Sequence, residues 1–174
     1  MNFIIREAGI EDAAGIARVH VETWQAHYRG QIPDDYLDGL SVEKRAERWR
    51  KNFGNFKPKV KLFVAEDKKN KTILGFCSIG PSRDEDAPKN TGEVYAIYTS
   101  PLEQGRGIGS ALMQTGLEYL KGEDFKKATL WVLKTNKTSR GFYEAKGWQA
   151  DGREKKDKFE SLMIEETRYA MELV

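Results

Sequence analysis

The stretch Ser100–Met113, SPLEQGRGIGSALM, decides how this chain is read. Gly105, Gly107 and Gly109 fall within five residues, and a helix-like pattern starts directly behind them. Glycine admits left-handed backbone and lets a main chain approach a ligand that a side chain would block. Glycines at a strand-to-helix turn can point several amide N–H groups at one spot, and the positive end of the helix adds to their pull. Arg106 places a further charge at the mouth. The stretch therefore reads as an anion site, against the alternative of a tight connection with no ligand.

Two familiar phosphate loops do not fit. A Walker loop needs lysine and then serine or threonine after its last glycine, whereas Ser110 follows Gly109 directly. A dinucleotide fingerprint needs G-x-G-x-x-G, whereas the spacing here is G-x-G-x-G with Ser110 where the third glycine belongs.

Working outward, GEVYAIYTS before the loop is a strand and the segment after it a helix to about Lys121, with Ile108, Leu112, Leu117 and Leu120 available to a core. ATLWVL follows as a buried strand, so Glu93–Leu133 forms a βαβ unit. Asn136–Lys146 is a short helix ended by Gly147, and SLMIEETRYAMEL is a closing strand paired near Trp148. Upstream, MNFIIR is a strand, and Ile10–His27 is a helix marked by Ile10, Ala13, Ala17 and Trp24. Pro33, Asp34 and Asp35 suit a helix start. Ser41 caps a further helix bearing Val42, Ala46, Trp49 and Phe53. KLFVAED and TILGFCSIG make an antiparallel hairpin, and PSRDEDAPKNTG a loop. The order β-α-α-β-β-β-α-β-α-β-β predicts one α/β domain over 1–174, with antiparallel hairpins early and a crossover later.

With 39% hydrophobic and 32% charged residues the chain is an ordinary soluble sequence, and a net charge of +2 gives no electrostatic footprint for nucleic acid. The mixed-sign runs EDKKNK (Glu66–Lys71) and GREKKDK (Gly152–Lys158) read as solvated loops. The single cysteine, Cys77, lies in an apolar run and reads as a small core hydrophobe. MNFIIREAG has no secretory pattern and no apolar run approaches the ~20 residues that cross a bilayer, so a cytoplasmic protein with no membrane partner is expected.

Gln104-x-x-Gly107-x-Gly109 resembles the Q/R-x-x-G-x-G/A signature of the GNAT superfamily of N-acetyltransferases. Asn136, followed by Gly141-Phe142-Tyr143-Glu144-Ala145-Lys146-Gly147-Trp148, resembles that family's N-x6-Y-E-x-x-G-[FW] element. The element order fits over nearly the whole chain. The resemblance implies a mixed, mostly antiparallel sheet of about seven strands flanked by four or five helices. It implies acetyl-CoA as cosubstrate, its pyrophosphate on the amides of Gln104, Gly105, Arg106, Gly107, Ile108, Gly109 and Ser110. In the family the strand bearing Ile97, Tyr98 and Thr99 splays from its neighbour and pairs with the pantetheine arm, and an amide near Ile97 polarises the thioester carbonyl. Tyr143 matches the tyrosine beside the cofactor sulfur, a general acid for the leaving thiolate, or else it is a core aromatic. Asn136 orients the pantetheine or caps its helix.

Glu93 resembles the general-base glutamate of the histone-acetylating branch, acting directly or through water; the plain reading is a surface glutamate where the strand begins. Strand alternation would put Glu93, Tyr95 and Ile97 on one face. His20 and His27 form no metal-like cluster and read as packing or surface residues. Trp24, Tyr28 and Tyr36, with Glu22, Asp34 or Asp35, fall where the family builds its acceptor pocket. The first helices look like those of bacterial polyamine acetyltransferases, which points to a small primary amine as acceptor. A protein amino group, or a module that binds acyl-CoA without chemistry, are the alternatives. A monomer or homodimer is expected.

Overall fold

The hydrophobic patterning of the chain turns into a single seven-stranded sheet. A computed structural model describes residues 2–159 and 161–173. The strands are β1 (Phe3–Glu7), β2 (Lys61–Asp67), β3 (Ile73–Pro81), β4 (Thr91–Thr99), β5 (Lys127–Leu133), β6 (Gln149–Phe159) and β7 (Leu162–Glu172). The helices are α1 (Ala13–His27), α2 (Asp34–Asp38), α3 (Val42–Phe53), α4 (Ile108–Gly122) and α5 (Lys137–Ala145). The spatial order is β1-β2-β3-β4-β5-β7-β6, and β4–β5 is the parallel pair in an otherwise antiparallel sheet. The mixed sheet and its five flanking helices match the expected architecture.

Each face of the sheet is covered for a readable reason. On one side Ile16 and Val19 of α1 pack on Leu62, Val64, Ile73 and Phe76, joined by Trp49 and Phe53 of α3. Ser41 caps α3 as expected, its Oγ accepting the Lys44 N–H at 3.2 Å. On the other side Ile108, Leu112 and Leu120, one helical turn or two apart on α4, meet Cys77, Ile79, Val94 and Leu130. Cys77 is fully buried and its thiol is pushed up to about 12 by that burial, as fits a core residue and not a reactive thiol.

Two sequence expectations change here. Gly152–Lys158 is not a loop but part of β6, and Glu66 belongs to β2, where Arg6 (2.6 Å) and Lys71 (3.2 Å) pair with it. An outer strand tolerates a charged run because one of its edges faces solvent, which hides the strand from a hydropathy reading. The alternation through Glu93, Tyr95 and Ile97 also breaks. Ser78 pairs with Ala96 and Ile79 with Val94, so Tyr95 is one residue too many, a β-bulge. Ile97 consequently packs with the α4 core, while Glu93 and Tyr95 meet Arg83.

The bulge sits at a decisive place. The β4–β5 ladder runs through Thr91–Lys127, Gly92–Ala128, Glu93–Thr129 and Val94–Leu130 and then stops, although β4 continues to Thr99 and β5 to Leu133. A bulge bends the strand that carries it, and here it turns β4 away from β5 one residue after their last pairing.

Candidate active site

The wedge between β4 and β5 opens into a cavity of about 690 Å³. Ile97, Tyr98 and Thr99 line one wall and Trp131, Val132 and Leu133 the other. Thr23 of α1 donates its hydroxyl to the Thr99 carbonyl at 3.1 Å and fixes the end of β4. Tyr143 and Asn136 reach the cavity from α5 and the turn before it.

The loop after β4 is built as its glycines require. Gly105 and Gly107 have φ of +76° and +78°, and a Cβ at either would meet no protein atom within 4 Å. Left-handed backbone, not crowding, demands glycine there. Gly107 is the N-cap of α4 and supplies no side-chain cap, so the amides of Ile108, Gly109 and Ser110 at the helix start have no capping side chain. Ala111 is the first amide to bond back, to the Gly107 carbonyl at 3.0 Å. Ile108 is buried in the core, so what it can offer a ligand is its N–H. Arg106 is exposed and pairs with Glu103. The Gln104 amide donates to His27 Nε2 at 2.5 Å, so His27 braces the loop instead of merely lying on the surface. An anion with several oxygens fits this cradle of amides and helix dipole.

Tyr143 is 8% exposed, with its ring near Phe142, Trp148 and Tyr169. Phe142 beside it is the more exposed of the two. Burial pushes the Tyr143 hydroxyl well above the ordinary tyrosine range, which keeps it a protonated donor at neutral pH. Asn136 caps α5, its Oδ1 accepting the Ser139 N–H at 3.1 Å, and its side chain is also hydrogen-bonded with Tyr28. Asn136 is thus the helix cap and also lines the cavity.

Glu93 lies on the cavity wall and is 1% exposed. Its carboxylate is engaged: Oε1 accepts from Arg83 Nη2 (2.5 Å) and Nε (3.1 Å), and Oε2 accepts the Arg83 backbone N–H (2.8 Å). Burial alone would lower the Arg83 pKa, yet the Glu93 hydrogen bonds hold it above its ordinary value. The guanidinium also stacks 4.3 Å from the centre of the Tyr95 ring. Arg83 engages both carboxylate oxygens of Glu93.

The acidic residues near the first helices face elsewhere. Glu22 pairs with Arg18 at 3.0 Å, Asp34 with Arg29 at 3.3 Å, and Asp35 is exposed. Trp24 and Tyr28 do line the cavity, whereas Tyr36 packs behind Trp24. His20 is buried among Trp24, Phe76 and Tyr98, an aromatic packing role. What the sequence did not reveal is the far wall, made by Arg83, Asp84, Trp131, Lys155 and Glu166. These residues come from the β3–β4 loop and three strands, and only the strand register brings them together.

Residues 16–148 match the Acetyltransferase (GNAT) family. This chain belongs to that family. It is an N-acetyltransferase of the GNAT kind, with acetyl-CoA as the acetyl donor. A relative, the uncharacterised N-acetyltransferase YuaI of Bacillus subtilis, is 38% identical over 141 residues, covering 81% of this chain and 77% of that protein. The mycothiol acetyltransferase of Mycobacteroides abscessus is 32% identical over 142 residues, 80% of this chain. The match spans only 43% of that longer protein. Among solved structures, the PaiA N-acetyltransferase of Thermoplasma acidophilum in complex with coenzyme A superposes with a TM-score of 0.70 at 22% identity, covering 97% of this chain and all of that one. That likeness is one of fold.

Proposed function

We propose that this GNAT protein acetylates a primary amine of a small molecule, polyamine-like in its chemistry. One observation carries the reading: the β4–β5 wedge, with the uncapped α4 amides at one end and a cavity lined by side chains at the other. The amides of Gln104–Ser110 hold the donor's pyrophosphate. The free edges of β4 and β5 beyond Val94 and Leu130 take the pantetheine arm between them, and the amide near Ile97 faces the thioester carbonyl as an oxyanion donor. A cavity of about 690 Å³ suits a small acceptor beside that arm. The mycothiol acetyltransferase among the relatives favours a small molecule over a protein amino group.

The chemistry follows from proton accounting. An ammonium acceptor loses one proton before its nitrogen attacks the carbonyl carbon and another as the amide forms. The C–S bond breaks and sulfur takes the electron pair and one proton, so the net yield is one proton. Tyr143 is the group beside the sulfur. Its raised pKa opposes outright donation, so it passes its proton to sulfur as it receives the second nitrogen proton, and no phenolate accumulates. Glu93, tied to Arg83, shapes the acceptor end and holds the β3–β4 loop. The test is thiol release from acetyl-CoA across a panel of diamines, polyamines, amino sugars and amino-terminal peptides. Release with small amines and not with peptides is expected. Release with peptides alone would overturn the acceptor class.

A further inference from the structure

A cation already sits in a cage on the far wall of the cavity. Trp131 of β5, Glu166 of β7, and Lys155 and Asp157 of β6 lie on one face of the sheet, because Trp131 pairs with Arg168 and Lys155 with Glu166 across their ladders. The Lys155 ammonium is 4.4 Å from the centre of the Trp131 ring, 3.4 Å from Asp157 and 3.6 Å from Glu166. All four side chains line the cavity. We infer that this cage is the seat of the acceptor's primary ammonium, and that Lys155 holds the place until the acceptor displaces it. The inference rests on the acetyltransferase reading above and names the part of the site that recognises the amine.

The cage is firm where it should be firm and loose where it must exchange. The Trp131 ring is pinned: its Nε1 donates to Asp84 at 3.0 Å, and Asp84 accepts from Arg168 at 2.9 Å. Arg168 in turn donates to Asp151 at 2.8 Å. An oriented indole face attracts a cation, and the attraction strengthens as water is excluded. Lys155, by contrast, holds its two carboxylates only at 3.4 and 3.6 Å, at the long end of polar contact. The Arg83–Glu93 pair on the same wall closes to 2.5 Å. Lys155 rides on β6, the outer strand, and its four-carbon stem lets the ammonium swing out. Its departure would take the nearest cation from Glu166 and Asp157 and leave Glu166 only the weaker field of Arg83, which raises the cage's demand for a cation.

Glu166 is also the carboxylate in position to take the first proton. On reaction one N–H bond of the seated ammonium breaks as an O–H bond forms on Glu166, leaving a neutral amine with a free electron pair and a neutral carboxyl group. Burial raises the proton affinity of Glu166, partly offset by Lys155, and Asp157 adds to it. This moves the base from Glu93, whose oxygens Arg83 occupies, to a neighbour on the same cavity.

Wild type, Lys155→Ala and Glu166→Gln are compared by two readouts. The first is steady-state thiol release with the best amine of the panel. The second is binding of butylammonium, followed as the fluorescence change that Trp131→Phe abolishes. Lys155→Ala is expected to lower the amine KM and the butylammonium Kd about three- to tenfold. Glu166→Gln should raise both about tenfold or more. The acetyl-CoA KM should not move in either, which also reports an intact fold. An amine KM and a butylammonium Kd that ignore Glu166→Gln would overturn the seat, whatever Lys155→Ala does. Thiol release with unresponsive variants removes the seat alone. Butylammonium binding that responds to both substitutions, with no thiol release for any amine, keeps the seat and removes the acetyltransfer reading.

Discussion

The two ends of the cavity are made of different materials. In the proposed reading, recognition at the donor end is backbone: left-handed Gly105 and Gly107, amides at the start of α4, and the unpaired edges of two strands. At the acceptor end it is side chain: Trp131, Lys155, Glu166 and the Arg83–Glu93 pair, drawn from elements far apart in sequence. Backbone recognition constrains residue type by conformation, so it leaves a local spacing that can be read. Side-chain recognition constrains only what meets in space. One end can stay constant while the other is rebuilt for a new amine.

Substitutions can break that contrast, and the largest effect belongs to the donor end. Gly107→Val places a β-branched side chain at φ +78°, which costs about 1–3 kcal/mol in backbone strain and shifts the helix-start amides. Acetyl-CoA affinity by calorimetry should fall at least about a hundredfold through loss of that anion cradle. Full affinity in this variant would dissolve the backbone half of the comparison.

Tyr143→Phe comes next. It removes the proton relay without emptying the core, so kcat should drop about 10²-fold while the acetyl-CoA KM holds. An unchanged kcat in stopped-flow and steady-state assays would take Tyr143 out of the chemistry. Glu93→Gln is a smaller test at the acceptor end. It trades a charged partner of Arg83 for a neutral one, and because Arg83 is largely solvent-exposed the loss is screened to about 1–2 kcal/mol of stability in denaturant unfolding. Activity should survive in part. Complete loss of turnover with intact folding would return the base to Glu93.

Gly109→Ala should have the least effect. A Cβ there would lie 3.5 Å from Thr99 Oγ1 and 3.6 Å from Phe142, ordinary contacts in a helical first turn. A gain in stability of no more than about 1 kcal/mol is expected, alanine being the better helix former, with acetyl-CoA bound nearly as before. A large loss of affinity would mean that a side chain, and not backbone conformation, is what the third glycine excludes.

This contrast also explains what the sequence disclosed. The strand–loop–helix unit was legible because the glycine spacing and the Ile108–Leu112–Leu120 stripe each express a local rule, as Ser41 does at the start of α3. Tyr143 and Asn136 were legible through a short element around one helix. The bulge at Tyr95 was not, since nothing in VYAIY distinguishes a bulged residue from a paired one. Lys155 was hidden inside GREKKDK, where charge suggested solvent and the edge-strand position carried the meaning. Trp131 and Glu166 were invisible as partners because the β5–β7 register joins them only after folding.

The short β4–β5 ladder has a mechanical consequence. Four residue pairs stitch the β1–β4 half of the sheet to the β5–β7–β6 half, the shortest ladder in the sheet, so the seam is where its two halves can breathe. A donor arm lying in the wedge would supply the missing rungs, acting as a temporary strand. Hydrogen exchange should then slow at the Trp131–Leu133 amides when coenzyme A is added, and the Trp131, Lys155 and Glu166 side of the acceptor wall, which belongs to the second half, would become rigid only once the donor is in place.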